Sequence, residues 1–327
     1  MQRPGWKAAQ AAAVTDPARL LEMLALDEAL LPAARAAAKR FPLRVPLGFI
    51  ARMRRGDPHD PLLRQVLPLD AELETHSGYG EDPVGESAAH VAPGLLQKYA
   101  GRVLLTTTGA CGVHCRYCFR RHFPYSEQNP RRDWQAVVAR IAADDSIHEV
   151  ILSGGDPFTL DTRRLREISS ALSAIPQVRR LRIHTRQPVV LPERVDAELL
   201  DWLAGIPLDV AIVIHANHAN EIDAHVREAA AGLKRAGAML LNQSVLLRGV
   251  NDSAAALASL GEALFAAGVL PYYLHLLDPV AGAAHFDVPE SRAREIMNDL
   301  HARVSGYLVP KLVREVAGRA GKTLINL

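Results

Sequence analysis

From residue 103 onward, short apolar runs alternate with amphipathic stretches, and this alternation limits the possible folds more than any other feature. The runs occupy residues 103–107, 150–153, 181–184, 210–214, 239–245 and 272–276. Between them, residues 134–143, 163–174, 219–236 and 254–267 carry helical spacing. Strands separated by helices at this pitch form βαβ units and pair in parallel. Six units match a partial (βα)6 barrel in the α/β class. Periodicity by itself also admits a complete eightfold barrel or a doubly wound sheet.

The preceding region has a different texture. Residues 14–40 are rich in Ala and Leu, and Asp16 before Pro17 is an N-cap followed by proline at the first helical position. Residues 41–93 are interrupted by Pro42, Pro46, Pro58, Pro61, Pro68 and Pro83, which predicts an irregular arm with short helices. The expected organisation is a helical and irregular N-terminal region (1–99), a barrel (100–288), and a C-terminal helix with a terminal segment (289–327). No repeat or low-complexity linker is evident.

Apolar residues make up 49% of the 327, enough for a sizeable core. The 38 basic and 36 acidic side chains nearly cancel, which gives no electrostatic case for a nucleic-acid partner. The sequence contains neither a spanning apolar stretch nor the apolar core of a signal peptide near its start. The expectation is a cytoplasmic protein without membrane attachment.

Polar residues collect where the strands end. Cys111, Cys115 and Cys118 follow the first run, and Ser153-Gly154-Gly155-Asp156-Pro157 follows the second. His184-Thr185-Arg186 and His215-Ala216-Asn217-His218 follow the third and fourth. Parallel barrels place their chemistry at that face, because the loops there converge on the axis. The three cysteines are the only ones in the chain, spaced C-x3-C-x2-C. They can hold three corners of a cubane iron–sulfur cluster and leave one iron open. The competing reading is structural zinc with His114 or His122 as fourth ligand, but such motifs usually come as two separated pairs. Tyr117 and Phe119 flank the last cysteine and would shield a cluster from water. The Gly-Gly turn, read alone, is an ordinary βα turn. Arg120-Arg121-His122 alone is a solvated charge run, and Lys322 alone is a solvated tail residue.

Together these motifs resemble the radical S-adenosylmethionine (SAM) superfamily. Residues 111–122, 153–157, 242–252, 272–278, 285–286 and 305–310 resemble its lysine 2,3-aminomutase family. Residues 44–46, 60–67, 115–125, 282–286 and 308–312 are most similar to the branch that supplies (R)-β-lysine for elongation factor P. Free-lysine members carry further cysteines for a structural zinc and extend further at the C-terminus, features not seen here. The resemblance implies a [4Fe-4S] cluster on Cys111, Cys115 and Cys118. It implies SAM contacts at Ser153, Gly154, Gly155, Asp156, His215 and Gln243. It also implies pyridoxal phosphate (PLP) as a Schiff base on Lys322, with Arg186 at its phosphate and Tyr117 as a further contact. Arg120 would bind the substrate α-carboxylate, and Asp278 the distal ammonium of lysine. Glu315 stands where free-lysine enzymes have a second, aspartate clamp, and the longer side chain departs from that pattern.

The implied activity is an isomerase, converting (S)-α-lysine to (R)-β-lysine, with a reduced flavodoxin- or ferredoxin-like electron donor. Its product would be passed to a separate ligase acting on elongation factor P. A free-standing lysine 2,3-aminomutase of amino-acid metabolism is the alternative. An iron–sulfur electron carrier would leave Lys322 and the Gly-Gly loop unexplained. An RNA-directed radical SAM methyltransferase sits poorly with the balanced charge.

Overall fold

The computed structural model describes residues 5–128 and 134–327. Residues 1–4, part of the expected N-terminal region, lie outside the described residues.

The N-terminal layer is built from helices α1 (Trp6–Ala11), α2 (Pro17–Leu24), α3 (Leu31–Arg40), α4 (Leu47–Ile50) and α5 (Pro61–Arg64). Helix α2 starts as its sequence expects: the Asp16 carboxylate accepts the Ala18 N–H at 3.0 Å, and Pro17 takes the first helical position. Its Leu20, Leu21 and Leu24 are buried with Phe49, Leu62, Leu63 and Val66.

Among the described residues, ten strands then form one sheet in chain order. An antiparallel edge, β1 (His90–Ala92) and β2 (Leu95–Tyr99), leads into β3 (Arg102–Thr108). The parallel series continues as α6 (Trp134–Ala142), β4 (Glu149–Gly154), α7 (Thr162–Ser173), β5 (Arg180–Thr185), a short α8 (Gln187–Val190) and α9 (Ala197–Ala204). It goes on through β6 (Asp209–His215), α10 (Ala224–Arg235), β7 (Met239–Val245), α11 (Ala254–Ala266) and β8 (Leu270–His275). After α12 (Glu290–His301), β9 (Lys311–Arg314) pairs parallel to β8, and β10 (Thr323–Leu324) turns back antiparallel. Strands β3–β8 are the six predicted units of a partial barrel. The sheet is wider than predicted because a short hairpin edge is added on each side.

Side-chain alternation along the strands separates core from cavity. Val103 and Leu105, Val150 and Leu152, Leu181 and Ile183, and Ile212 and Ile214 pack into the main apolar core with the covering helices. The intervening Leu104, Ile151, Ser153, Arg182, His184 and His215 line an internal cavity, joined by Gln243, Tyr273 and His275. The cavity-facing set is the more polar of the two. Among the described residues no helix is long and apolar enough to cross a membrane.

Candidate functional site

The cysteine loop follows β3 and is gripped from behind by the N-terminal layer. Backbone N–H groups of His114 and Arg116 donate to the carbonyls of Arg44 (3.0 Å) and Gln65 (2.9 Å). The fully buried Arg116 pairs with Glu72 and donates to the Phe41 carbonyl at 2.8 Å. Val113 and Cys115 pack onto the N-terminal core. This leaves all three cysteines unpaired and lining the cavity. Burial and then Cys118 push the Cys111 thiol well up; burial and then Cys115 push the Cys118 thiol up to about 11. Bound iron would reverse both shifts by favouring thiolate. Among the described residues no three His, Cys, Asp or Glu side chains converge on one metal ion. A single zinc would need its thiolates about 2.3 Å from a common centre, whereas a cubane gives each cysteine its own iron. The donor set, three cavity-lining cysteine thiols, fits a cluster.

The Gly-Gly loop lies against this one. Gly154 has φ +118°, and a Cβ there would sit 2.6 Å from the Thr108 carbonyl oxygen. A Cβ on Gly155 would collide with the Ala110 carbonyl. The close approach lets the Gly155 N–H reach Thr108 O at 2.6 Å and the Asp156 N–H reach Ala110 O at 2.8 Å. The Asp156 carboxylate is spent inside the chain. It accepts from Thr185 Oγ1 (2.6 Å) and from the N–H groups of Phe158 (3.0 Å), Arg186 (2.6 Å) and Gln187 (3.1 Å). Asp156 thus ties the β4 loop to the β5 loop. Ser153 Oγ accepts from Arg120 NH1 at 2.8 Å.

Arg120 lies just beyond the third cysteine, with its Nε and NH2 forked onto Glu86 at 2.7 and 2.6 Å. Both residues line the cavity. Motif reading did not single out Glu86, which stands alone in the proline-broken arm. His215 is stacked on Tyr117 (centroids 5.6 Å, 18° between planes), and its Nε2 meets the tyrosine hydroxyl at 2.9 Å. Burial, then the Arg186 charge, pushes His215 down to about 3, so the imidazole is neutral.

Arg186 corrects an expectation. The resemblance puts it at a PLP phosphate, but its guanidinium is buried on the cysteine side. NH1 donates to Cys115 Sγ and Tyr117 Oη, both at 2.7 Å. NH2 donates to Gln65 Oε1 (2.6 Å) and Glu221 Oε2 (2.9 Å). The buried Glu221 carboxylate holds it there. Tyr117, expected at PLP, is likewise taken up by Arg186, His215 and Asn217, the last at 2.7 Å.

Lys322 enters from the β9–β10 hairpin, where Thr323 lies opposite Arg314. Its Nζ lies 2.8 Å from Glu315 Oε2. The other oxygen of Glu315 accepts the Tyr99 hydroxyl and lies 3.6 Å from Lys98 Nζ. Glu315 therefore bridges the two edges of the sheet, from β9–β10 across to β2. Burial works against its charge, but Lys322, Tyr99 and Lys98 outweigh that and hold its carboxyl below the usual range. Asp278 lines the same cavity and its Oδ1 has no partner. Burial pushes it up to about 7, with Lys322 pulling the other way. His184 and His275, desolvated and close to cations, are held neutral. Cations lining the cavity with Lys322 include Lys98, Arg102, Arg182 and Lys311. None was singled out from sequence, although Arg182 alternates with core residues Leu181 and Ile183 and so had to face inward. The cysteines, the Gly-Gly loop, Arg120, His215, Gln243, Asp278, Glu315 and Lys322 all line one cavity of about 770 Å³.

Residues 105–258 match the family model of the radical SAM superfamily. The fold, the cysteine loop and this match define a radical SAM protein. The chain is 51% identical over 327 residues to the L-lysine 2,3-aminomutase of Escherichia coli, covering 99% of this chain and 95% of that one. It is 48% identical to the L-lysine 2,3-aminomutase of Haemophilus influenzae (95% and 93% covered) and 45% identical to that of Buchnera aphidicola (88% and 85%). The chain belongs to the lysine 2,3-aminomutase family.

Proposed function

We propose that this chain isomerises (S)-α-lysine to (R)-β-lysine, using a [4Fe-4S] cluster, SAM and PLP. The observation that carries the reading is the single cavity onto which the three cysteines, Arg120, Asp278 and Lys322 all open. When bound, the cluster and SAM would supply radical initiation at the lysine β-carbon, and PLP would supply a π-system for the migrating nitrogen. The chain's own residues bind, orient and shield. Cys111, Cys115 and Cys118 hold the cluster, and the close-packed Gly154-Gly155 turn with His215 and Gln243 forms the SAM wall. Lys322 carries PLP, and Lys98, Arg102 and Arg182 offer cations for its phosphate in place of Arg186. Arg120, braced by Glu86, binds the substrate α-carboxylate through NH1, which Ser153 Oγ holds until substrate arrives. Asp278 takes the distal ammonium, helped by Glu315 once Lys322 no longer occupies it. A basic anchor and an acidic anchor set apart across one cavity select by substrate length.

The product is destined for elongation factor P through a separate ligase, and electrons come from a reduced flavodoxin- or ferredoxin-like protein in the reducing cytoplasm. The similarity to the elongation factor P branch at residues 115–125 and 282–286 supports this destination. The deciding experiment is anaerobic reconstitution with iron, sulfide, SAM, PLP, L-lysine and reductant, followed by chiral analysis. (R)-β-lysine is expected; SAM cleavage without β-lysine overturns the reading. Transfer of that product to elongation factor P by its ligase tests the destination.

A further inference from the structure

The wall behind Cys115 contains a buried charged group, Arg186, held by the chain's own side chains. Arg186 is 7% exposed, and NH1 points at Cys115 Sγ from 2.7 Å. Its position is fixed from several directions. Gln65 and Glu221 accept from NH2, and the Asp156 carboxylate accepts its backbone N–H at 2.6 Å. Glu221 is itself pinned: its Oε1 accepts from the Asn217 N–H (2.8 Å), the His218 N–H (3.0 Å) and Gln65 Nε2 (3.1 Å). A guanidinium is permanently cationic. So Cys115 faces a fixed, buried positive charge, offset in part by a carboxylate on its far side.

We propose that Arg186 is a positioning residue that sets the reduction potential of the cluster through a charge-assisted hydrogen bond to Cys115, with Glu221 moderating its charge. Hydrogen bonds to ligating sulfurs and local charge are among the main determinants of cluster potential. The added electron makes the cluster more negative, so a cation at 2.7 Å from one sulfur favours the reduced form. Burial strengthens the effect because water does not screen it. The inference rests on the cysteines holding a cluster, and it is independent of the PLP and lysine assignments. Asp156 links the device to the SAM wall, since one carboxylate holds both the Gly-Gly loop and the Arg186 backbone.

The test is a redox titration of the reconstituted full-length protein, followed by electron paramagnetic resonance without SAM or lysine, with iron content measured alongside. Arg186→Gln should shift the midpoint to more negative potential at unchanged iron. Arg186→Lys should recover part of the shift. Glu221→Gln should move the midpoint the opposite way, because the guanidinium charge is no longer offset. An unchanged midpoint in Arg186→Gln at full iron content overturns the proposal. So does a Glu221→Gln shift in the same direction as Arg186→Gln. Should Arg186→Gln fail to assemble a cluster, the Glu221→Gln midpoint decides: a positive shift supports the proposal and no shift rejects it. Production of β-lysine by the unaltered protein is read separately, so failure here and failure of the proposed activity remain distinguishable.

Discussion

On the cysteine side of the cavity Arg186 gives its N–H groups to Cys115, Tyr117, Gln65 and Glu221, and Asp156 accepts four hydrogen bonds. On the Lys322 side Asp278 Oδ1 and His184 Nε2 have no partner, and Glu315 is neutralised by the chain's own lysine. The first side is largely organised before any ligand arrives, with Arg186 Nε and Gln187 Oε1 left unpartnered there. The second leaves a buried carboxylate oxygen and an imidazole nitrogen without a partner from the chain, a condition costly to folding and useful for recognition. Rigidity suits a cluster whose potential and geometry must not drift; unmet charge suits a site that must take up an ammonium.

The contrast is broken most severely by removing a cluster ligand. Cys115→Ala should abolish cluster assembly and all turnover, while PLP still binds at Lys322, which stands on a separate hairpin. Iron content and the PLP absorption band check the two sides independently, and loss of both would show that they are not separable. Lys322→Ala is the mirror experiment. Product should vanish and the Schiff-base band should be absent, with iron content and SAM binding intact. Retained β-lysine would remove Lys322 from the mechanism.

Asp278→Asn has a smaller and two-signed effect. Losing one buried carboxylate should weaken lysine binding roughly 10- to 100-fold. In the unaltered chain Asp278 is pushed up to about 7 by burial, so the folded state holds a proton that the unfolded state releases near 3.8. Its contribution to stability is full below about pH 3.8 and is lost as pH rises through about 7. The asparagine variant should therefore be more stable than the parent at pH 8, by an amount on the order of 1–4 kcal/mol. Lysine affinity of the parent should fall below pH 7, because the ammonium needs the ionised carboxylate. Isothermal titration and thermal unfolding across pH 6–8 check both; lower stability at pH 8 would sink the desolvation argument. Glu315→Gln should act in the same direction on affinity but less, roughly tenfold, because Asp278 remains.

The two sides also differed in how far the sequence revealed them. The six parallel strands and the cysteine loop were legible because short apolar runs alternating with helical stretches, and a tight motif, are local signals. Lys322 was found only through resemblance, since a lysine near a chain end carries no local mark. Arg186 was misplaced because sequence shows that an arginine follows β5 but not that Glu221, 35 residues on, draws it to the cysteine side. Glu86 was missed because it lies in the proline-broken stretch, and Lys98 and Arg102 because they flank the tight turn between β2 and β3, where no motif marks them. The outermost strands escaped because β1 and β10 span three and two residues, too few to show alternation. Long-range charge pairing sets this side of the molecule, and spacing along the chain does not encode it.

The gentlest test bears on the support behind the cysteines. Asp16 caps α2, whose Leu20, Leu21 and Leu24 share a core with Val113 and with Cys115 at its edge. Asp16→Ala removes a side-chain acceptor for one N–H at an exposed helix start and should cost about 1 kcal/mol of stability. If the cysteine side is as preorganised as its hydrogen bonds imply, that loss should lower the unfolding temperature slightly and leave the cluster midpoint unchanged. Lysine affinity, set by elements far along the chain, should not move at all. A shifted midpoint in this variant would mean that the N-terminal layer holds the cluster loop less firmly than Arg116, Arg44 and Gln65 suggest. The rigidity contrasted above with the Lys322 side would then belong to the Arg186–Glu221 pair alone.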